Sequence, residues 1–556
     1  MFTRRHTEVH DSVTTMRQSD EPLLSSPSPG NAYPCKVLSA TLFSLAIAAA
    51  FLLLTPTAPD LCANSPDPAS CQTIVADAVL ASSPHAHRPS RPAQILRAII
   101  ATSLDRHDAA AEAVAGMRRR ASDPRQRAAL EDCVQLMGLA RDRLVDAAGA
   151  ADGGGDGDDA RTWLSAVLTD HVTCLDGLDA DGPLRDSVGA HLEPLKSLAS
   201  ASLAVLNAVG GARDVLAEVV DRFPSWVPAR DRALLEAGAG AVQADVVVAQ
   251  DGSGKYKTIK EAVDAAPDGG KSRYVIYVKK GVYKENLEVG KKKREVMIVG
   301  DGMDQTVITG SRNVVDGATT FNSATLALSG DGIILQDLRV ENTAGPEKHQ
   351  AVALRASADR AVINRCSLDG YQDTLYAHQL RQFYRDCAVS GTVDFVFGNA
   401  AAVLQGCVLT ARRPAAAQKN AVTAQGRTDP NQNTGTSVHR CRVVPAPDLA
   451  PVAKQFPTFL GRPWKEYSRT VYMLSYLDAH VDPAGWLAWN GDFALKTLFY
   501  GEYQNQGPGA GTAARVGWPG YRVITDRSVA MQFTVGQFIQ GGDWLNATGV
   551  TYNDGL

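Results

Sequence analysis

Asp373 and Asp394 stand 21 residues apart, and Gln350 and Gln372 stand 22 apart. Carboxylates can attack a carbonyl carbon or carry a proton, and primary amides can donate to a developing oxyanion. The two residue types together therefore suit hydrolysis of an ester or a glycoside. Any one of them alone reads as ordinary surface polarity; four at matched spacing beside aromatic residues read as a site. An arginine downstream, Arg462, is a cation that can orient a carboxylate and favour its ionised form. No GxSxG elbow, HExxH or CxxC pattern occurs, which leaves serine-hydrolase and zinc chemistry without a sequence signal. His349 and His378 lie nearby and read as structural or exposed.

A matched spacing of 21 and 22 places residues together only if the chain itself repeats at that period. The strings AVINRCSL (361–368), QFYRDCAV (382–389), AVLQGCVL (402–409) and SVHRCRVV (437–444) each carry a cysteine, at the sixth position in the first three and the fifth in the last. The steps between those cysteines are 21, 20 and 34, the last holding an insertion. A period near 20 marks a solenoid with one coil per repeat. From residue 246 onward short β-branched runs, such as 274–278, 296–299 and 332–340, alternate with Gly, Asn and Asp and show no helical period. The solenoid is therefore expected to be a parallel β-helix, with coils stacked at roughly the 4.8 Å strand spacing. Stacking puts the two glutamines and two aspartates in one patch. It also gathers Cys366, Cys387, Cys407 and Cys441 into one column as disulfide candidates, with three connectivities open.

Ahead of the solenoid, residues 60–225 are rich in Ala and Leu. Leu130, Cys133, Val134, Met137, Ala140 and Leu144 recur at three- and four-residue steps, the stripe of an amphipathic helix. Breaks at Ser122, Asp123 and Pro124, over residues 152–159, and at Gly210 and Gly211 divide this region into an antiparallel helical bundle. Cys62 with Cys71 and Cys133 with Cys174 are the expected disulfides, the second joining neighbouring helices. Residues 1–36 form a leader, and residues 37–54 are uncharged and apolar behind Arg4, Arg5, Arg17 and Lys36. This is an export segment, with a cleaved signal and a type II anchor both open, and it is the chain's one expected contact with a membrane. Eight of the nine cysteines follow it, which suits an oxidising compartment. With a net charge of −4 nothing favours a nucleic-acid partner, and the basic run Lys291 to Arg294 reads as a solvated face.

HQAVAL (349–354), GYQDTLY (370–376), GTVDFVFGNA (391–400) and LGRPW (460–464), with GVYKE (281–285) before them, resemble the signature set of the pectin methylesterases over residues 242–556. TWLSA (162–166) and TCLDG (173–177) resemble the inhibitor domain that precedes many plant members of that family. The resemblance implies an all-α helical bundle followed by an all-β right-handed parallel β-helix that de-esterifies pectin in the cell wall, without a cofactor or metal. It implies that Asp394 is the nucleophile, Asp373 the proton donor and then base, and Gln372 the transition-state stabiliser. Thr320, Gln350, Arg462 and Trp464 match substrate-contacting or supporting positions, and Phe397 and Trp489 are further candidates for cleft walls. Residues 226–241 read as an exposed processing linker. In that family a basic pair followed by two leucines marks the cut; here Arg232 is followed by Ala233 ahead of Leu234 and Leu235, a departure of one residue, and a protease is the implied partner. Asn546 begins a glycosylation sequon. The nearest rivals are a polygalacturonase or pectin lyase on the same fold, or an inhibitor module carrying an inert β-helix.

Overall fold

Helix boundaries follow the local chemistry. Asp123 caps the helix Pro124–Gly149 by accepting from the Gln126 amide at 2.8 Å, and Pro124 supplies a first-turn residue with no amide to satisfy. Along that helix Leu130, Cys133, Met137, Ala140 and Leu144 of the predicted stripe are buried, while Val134 is partly buried at its edge. Each fully buried Leu or Met contributes about 1.5–3 kcal/mol relative to exposure, so the apolar stripe holds the helix in place. The structure, a computed structural model, describes residues 60–82, 92–151, 157–210 and 243–556. The export segment (37–54), the linker (226–241) and Arg232 to Leu235 lie outside the described residues.

Among the described residues five helices make the bundle: α1 (Pro68–Ser82), α2 (Pro92–Arg120), α3 (Pro124–Gly149), α4 (Gly157–Asp176) and α5 (Pro183–Gly210). Asp158 and Asp159, expected in a loop, lie instead in the first turn of α4, where the helix dipole favours acidic residues. Both expected bundle disulfides form. Cys62–Cys71 ties the segment before α1 to α1 itself, and Cys133–Cys174 ties α3 to α4 with a Cα separation of 4.6 Å.

From Val246 the chain winds into a parallel β-helix of three sheets with 11, 7 and 8 strands, every named pairing parallel. Its core is a stack of buried aliphatic residues, with Leu326, Leu354, Leu375 and Val396 aligned coil over coil. The predicted run 332–340 is two strands, Ile334–Gln336 and Arg339–Asn342, because the chain turns a corner at Asp337 with φ of 53°. The cysteine repeat has the same corner. Arg365, Asp386, Gly406 and Arg440, each just before a repeat cysteine, all have φ between 49° and 71°. The repeated string thus encodes strand, left-handed corner and strand rather than one strand.

The four repeat cysteines do stack, but as buried free thiols, which corrects the expected cross-links. The Cys387, Cys407 and Cys441 thiols each donate to a carbonyl of the preceding coil, at Ile363, Tyr384 and Leu404, over 3.2–3.5 Å. Cys366 donates to Asn364 in its own coil. Each sulfur thus has a polar partner inside the core. Glu285 of the GVYKE string serves the fold: its two carboxylate oxygens accept from the amides of Ile259 and Lys260, both at 3.0 Å, anchoring the start of the short helix Ile259–Ala265 against the first coils. At the other end of the chain Asn546 is half-buried, its amide nitrogen donating to Gly542 and its oxygen accepting from Tyr552.

Candidate active site

The solenoid period delivers the two aspartates to one place. The Asp373 amide donates to the Val393 carbonyl at 3.0 Å, one coil on, and the Ala351 amide donates to the Gln372 carbonyl at 3.2 Å. Asp373 and Asp394 both take left-handed backbone, φ of 65° and 54°, a conformation Asp tolerates better than most side chains. At these corners the carboxylates leave the strand and enter a cleft. That cleft, about 550 Å³, is lined by Thr320, Gln350, Gln372, Asp373, Asp394, Arg462 and Trp464, together with Tyr376, Phe397 and Trp489. Every residue proposed from sequence for catalysis or substrate contact therefore faces one cavity.

Arg462 grips Asp394 with both arms of its guanidinium: Nε donates to Oδ1 at 2.7 Å and Nη2 to Oδ2 at 2.6 Å. The Asp394 side chain is only 7% exposed, so the pair sits where fixed charge matters most. Arg462 was expected to bring Asp394 below the usual carboxylate range. Burial outweighs it and the net direction is upward, with Arg462 opposing the rise. Asp373 is pushed up further, by burial first and then by the charge of Asp394, with Arg462 too weak to offset them. Their order is thus the expected one. Asp373 is the more strongly raised of the two, and the partnered Asp394 ionises more readily.

Aromatic side chains build the walls. Tyr376 and Phe397 stack with centroids 4.2 Å apart, Trp464 meets Phe397 edge-on at 5.9 Å, and the Arg462 guanidinium lies 4.3 Å from the centre of the Trp489 ring. His378 is buried, with ring nitrogens bonded to Ser357 at 2.9 Å and Thr173 at 3.0 Å, so its role is structural. Sequence reasoning passed over Tyr376 and the buried Arg355, whose guanidinium lies 3.5 Å from the centre of the Phe321 ring. Their position one coil apart, Arg355 aligned with Tyr376, was available from the same period that found the aspartates.

The bundle lies over this cleft. Arg125, Asp132, Thr173 and Asp176 line the same cavity as the aspartates. Asp132 of α3 accepts from Thr319 and Asn322 on the two sides of Thr320. From α4, Thr162 and Thr169 accept from Asn433 and Asn399, the Ser165 carbonyl accepts from Gln432, and Asp176 accepts from Lys465 at 2.7 Å. Phe321, Tyr376 and Phe397 share a continuous apolar cluster with the bundle core. The basic run is not simply solvated: Lys291 donates to the Gly138 carbonyl of α3 and pairs with Asp142, both at 2.8 Å.

The pectinesterase family profile matches residues 245–542, and the profile of plant invertase/pectin methylesterase inhibitors matches residues 57–205. Pectinesterase 2.1 of Solanum lycopersicum is 54% identical over 500 residues, spanning 89% of this chain and 90% of its own. Pectinesterase/pectinesterase inhibitor 18 of Arabidopsis thaliana is 48% identical over 561 aligned residues, spanning 97% of this chain and 100% of its own. The solved structure of carrot pectin methylesterase matches with a TM-score of 0.56 at 57% identity, covering 57% of this chain and 99% of the carrot chain.

Proposed function

The chain belongs to the pectinesterase family of carboxylic ester hydrolases, and from that premise we propose that it hydrolyses pectin methyl esters through an acyl-enzyme on Asp394. The observation that carries this reading is the bidentate Arg462–Asp394 pair with Asp373 one coil away in the same cleft. The ionised Asp394 oxygen attacks the ester carbonyl carbon, and the oxyanion that forms accepts from the Gln372 amide, with Gln350 at hand as a second donor. Asp373 gives its proton to the methoxy oxygen as the carbon–oxygen bond breaks, and methanol leaves. Asp373, now ionised, takes a proton from water while the hydroxyl adds to the acyl carbon. Collapse returns the Asp394 carboxylate, the free uronic acid and a protonated Asp373.

The same reading makes the bundle a shield. Asp132 and Asp176 line the cleft that the polysaccharide would enter, so in this reading the bundle hinders access to Asp394 until the linker at 226–241 is cut and the bundle leaves. The apolar segment at 37–54 supports export, and the family supports the cell wall as the place of action.

Assaying pectin for methanol, new reducing ends and unsaturated ends separates this reading from a glycosidase or lyase. Methanol alone is expected, abolished in Asp394→Ala; chain cleavage without methanol would overturn it. For the shield, a specific protease site is placed in the linker. Cutting is expected to raise methanol release at least tenfold, and an uncut chain as active as the cut one would refute the shield.

A further inference from the structure

Gln372 lines the cleft, yet its side-chain amide meets no hydrogen-bond partner among the described residues. Its aim is therefore set by the backbone turn from Gly370 to Asp373. The next coil holds part of that turn. The Gly370 amide donates to the Ser390 carbonyl at 3.2 Å, the Asp373 amide to the Val393 carbonyl at 3.0 Å, and the Thr392 amide to the Tyr371 carbonyl at 2.9 Å. The Gly370 carbonyl and the Tyr371 hydroxyl are held by one side chain, Arg412, whose Nη1 and Nη2 donate to them at 2.9 and 2.6 Å. The guanidinium also lies 3.8 Å from the centre of the Tyr371 ring. Arg412 follows the strand Val408–Ala411, two coils beyond the turn it grips, so its side chain reaches past the coil of Asp394. Its own backbone is fixed on both sides: the amide donates to the Gly391 carbonyl at 2.7 Å, and the carbonyl accepts from the Asn420 side chain at 3.0 Å. The turn has little slack, since a Cβ at Gly370 would stand 2.7 Å from the Thr374 Oγ1. A carbonyl cap alone serves only the fold; what ties this one to the reaction is its place one and two residues ahead of Gln372.

We propose that Arg412 is a positioning residue for the reaction: by holding Gly370 and Tyr371 it aims the Gln372 amide at the developing oxyanion. The inference rests on the pectin reading above. Arg412 is not among the residues lining the cleft, so it acts through Gln372 and not on the substrate. An oxyanion donor is effective only within about 2.7–3.1 Å of the place where charge develops, and a displacement of about 1 Å can cost 10²-fold in rate. With no partner of its own, the Gln372 side chain has nothing to restore its aim once the turn shifts. The planar fork serves a carbonyl, a hydroxyl and a ring face together, which a lysine ammonium cannot match.

The test is a double-mutant cycle on the full chain with a specific protease site in the linker, cut after purification. kcat and KM for methanol release from highly methylated pectin are measured for wild type, Arg412→Met, Gln372→Ala and the double variant. Arg412→Met is expected to lower kcat by roughly 10- to 100-fold with KM changed by less than about twofold, and to leave the acid limb of the pH profile in place. Adding Arg412→Met to Gln372→Ala should then lower kcat by less than about twofold, because the donor it aims is already gone. Arg412→Lys should recover part of the loss, and Tyr371→Phe, which removes one of the two acceptors, should show a smaller loss of the same kind. These two milder variants carry the test if Arg412→Met does not fold, each paired with Gln372→Ala. Wild-type kcat in the Arg412 and Tyr371 variants, or the same fold loss with and without Gln372, overturns the positioning role while leaving the esterase reading intact. A wild type releasing no methanol overturns the esterase reading itself, and the positioning role with it.

Discussion

Arg462 offers the most direct test of how the site distributes charge. In Arg462→Gln the buried Asp394 carboxylate loses both guanidinium bonds, at 2.7 and 2.6 Å, and its counter-charge. Stripping one partner from a buried pair costs about 3–5 kcal/mol if the remaining charge stays. The Arg462 side chain is 23% exposed, so water would enter the vacated space and the low end applies. Asp394 can avoid that cost by binding a proton, and about 3 kcal/mol at 1.36 kcal/mol per pKa unit corresponds to a rise of roughly two units. Because the nucleophile acts ionised, the acid limb of kcat/KM should move upward by roughly two pH units, and activity below the new limb should fall about a hundredfold. Arg462→Lys keeps the charge without the fork and should shift the limb less. The assay is initial methanol release against pH on the linker-cut chain. An acid limb that stays in place in Arg462→Gln, with activity lowered evenly at all pH values, would refute the idea that Arg462 acts by keeping Asp394 ionised.

Gln372→Ala removes an oxyanion donor and should lower kcat by about 10²–10³-fold with a smaller change in KM, whereas equal kcat in mutant and wild type would remove Gln372 from the mechanism. Asp373→Asn should lose the proton donor and with it acyl-enzyme formation; single-turnover methanol release at the wild-type rate would contradict this. Burial, opposed by the Thr319 hydroxyl, raises Asp132 to about 7 in the docked bundle. A carboxyl raised on docking favours the docked state fully below its ordinary range and loses that contribution as pH rises through about 7. The cut chain should thus release its bundle more readily at pH 8 than at pH 5 in size-exclusion runs, and Asp132→Asn should flatten the difference; a wild type that dissociates equally at both values would count against it. The Cys133–Cys174 bridge closes a loop of separation 41, and replacing both cysteines with serine should destabilise the bundle by about 2–4 kcal/mol in denaturant melts.

What could be read before folding was whatever repeats or recurs along the chain. The stripe through Leu130 and Leu144 foretold a buried helix face, and the cysteine period foretold stacked coils, because both patterns are set by geometry within a few residues or a single coil. That same period brought Asp373 and Asp394 together, and the motif around Arg462 supplied the cation that holds one of them. The column of four cysteines was equally legible, yet whether the sulfurs bond to each other or to carbonyls depends on side-chain direction at each corner, which no spacing states. The net rise of Asp394 was hidden for a related reason: sequence names its cation but not how much water is excluded around the pair. Above all, only the tertiary structure decided where the bundle sits. Asp132, Thr173 and Asp176 lie some two to three hundred residues from the partners they meet, and nothing local distinguishes a helix carboxylate facing solvent from one lining the cleft of Asp373 and Asp394. Local periodicity determined the coils and the pairing of Asp373 with Asp394; long-range packing, which depends on the matching of two finished surfaces, decided what covers them.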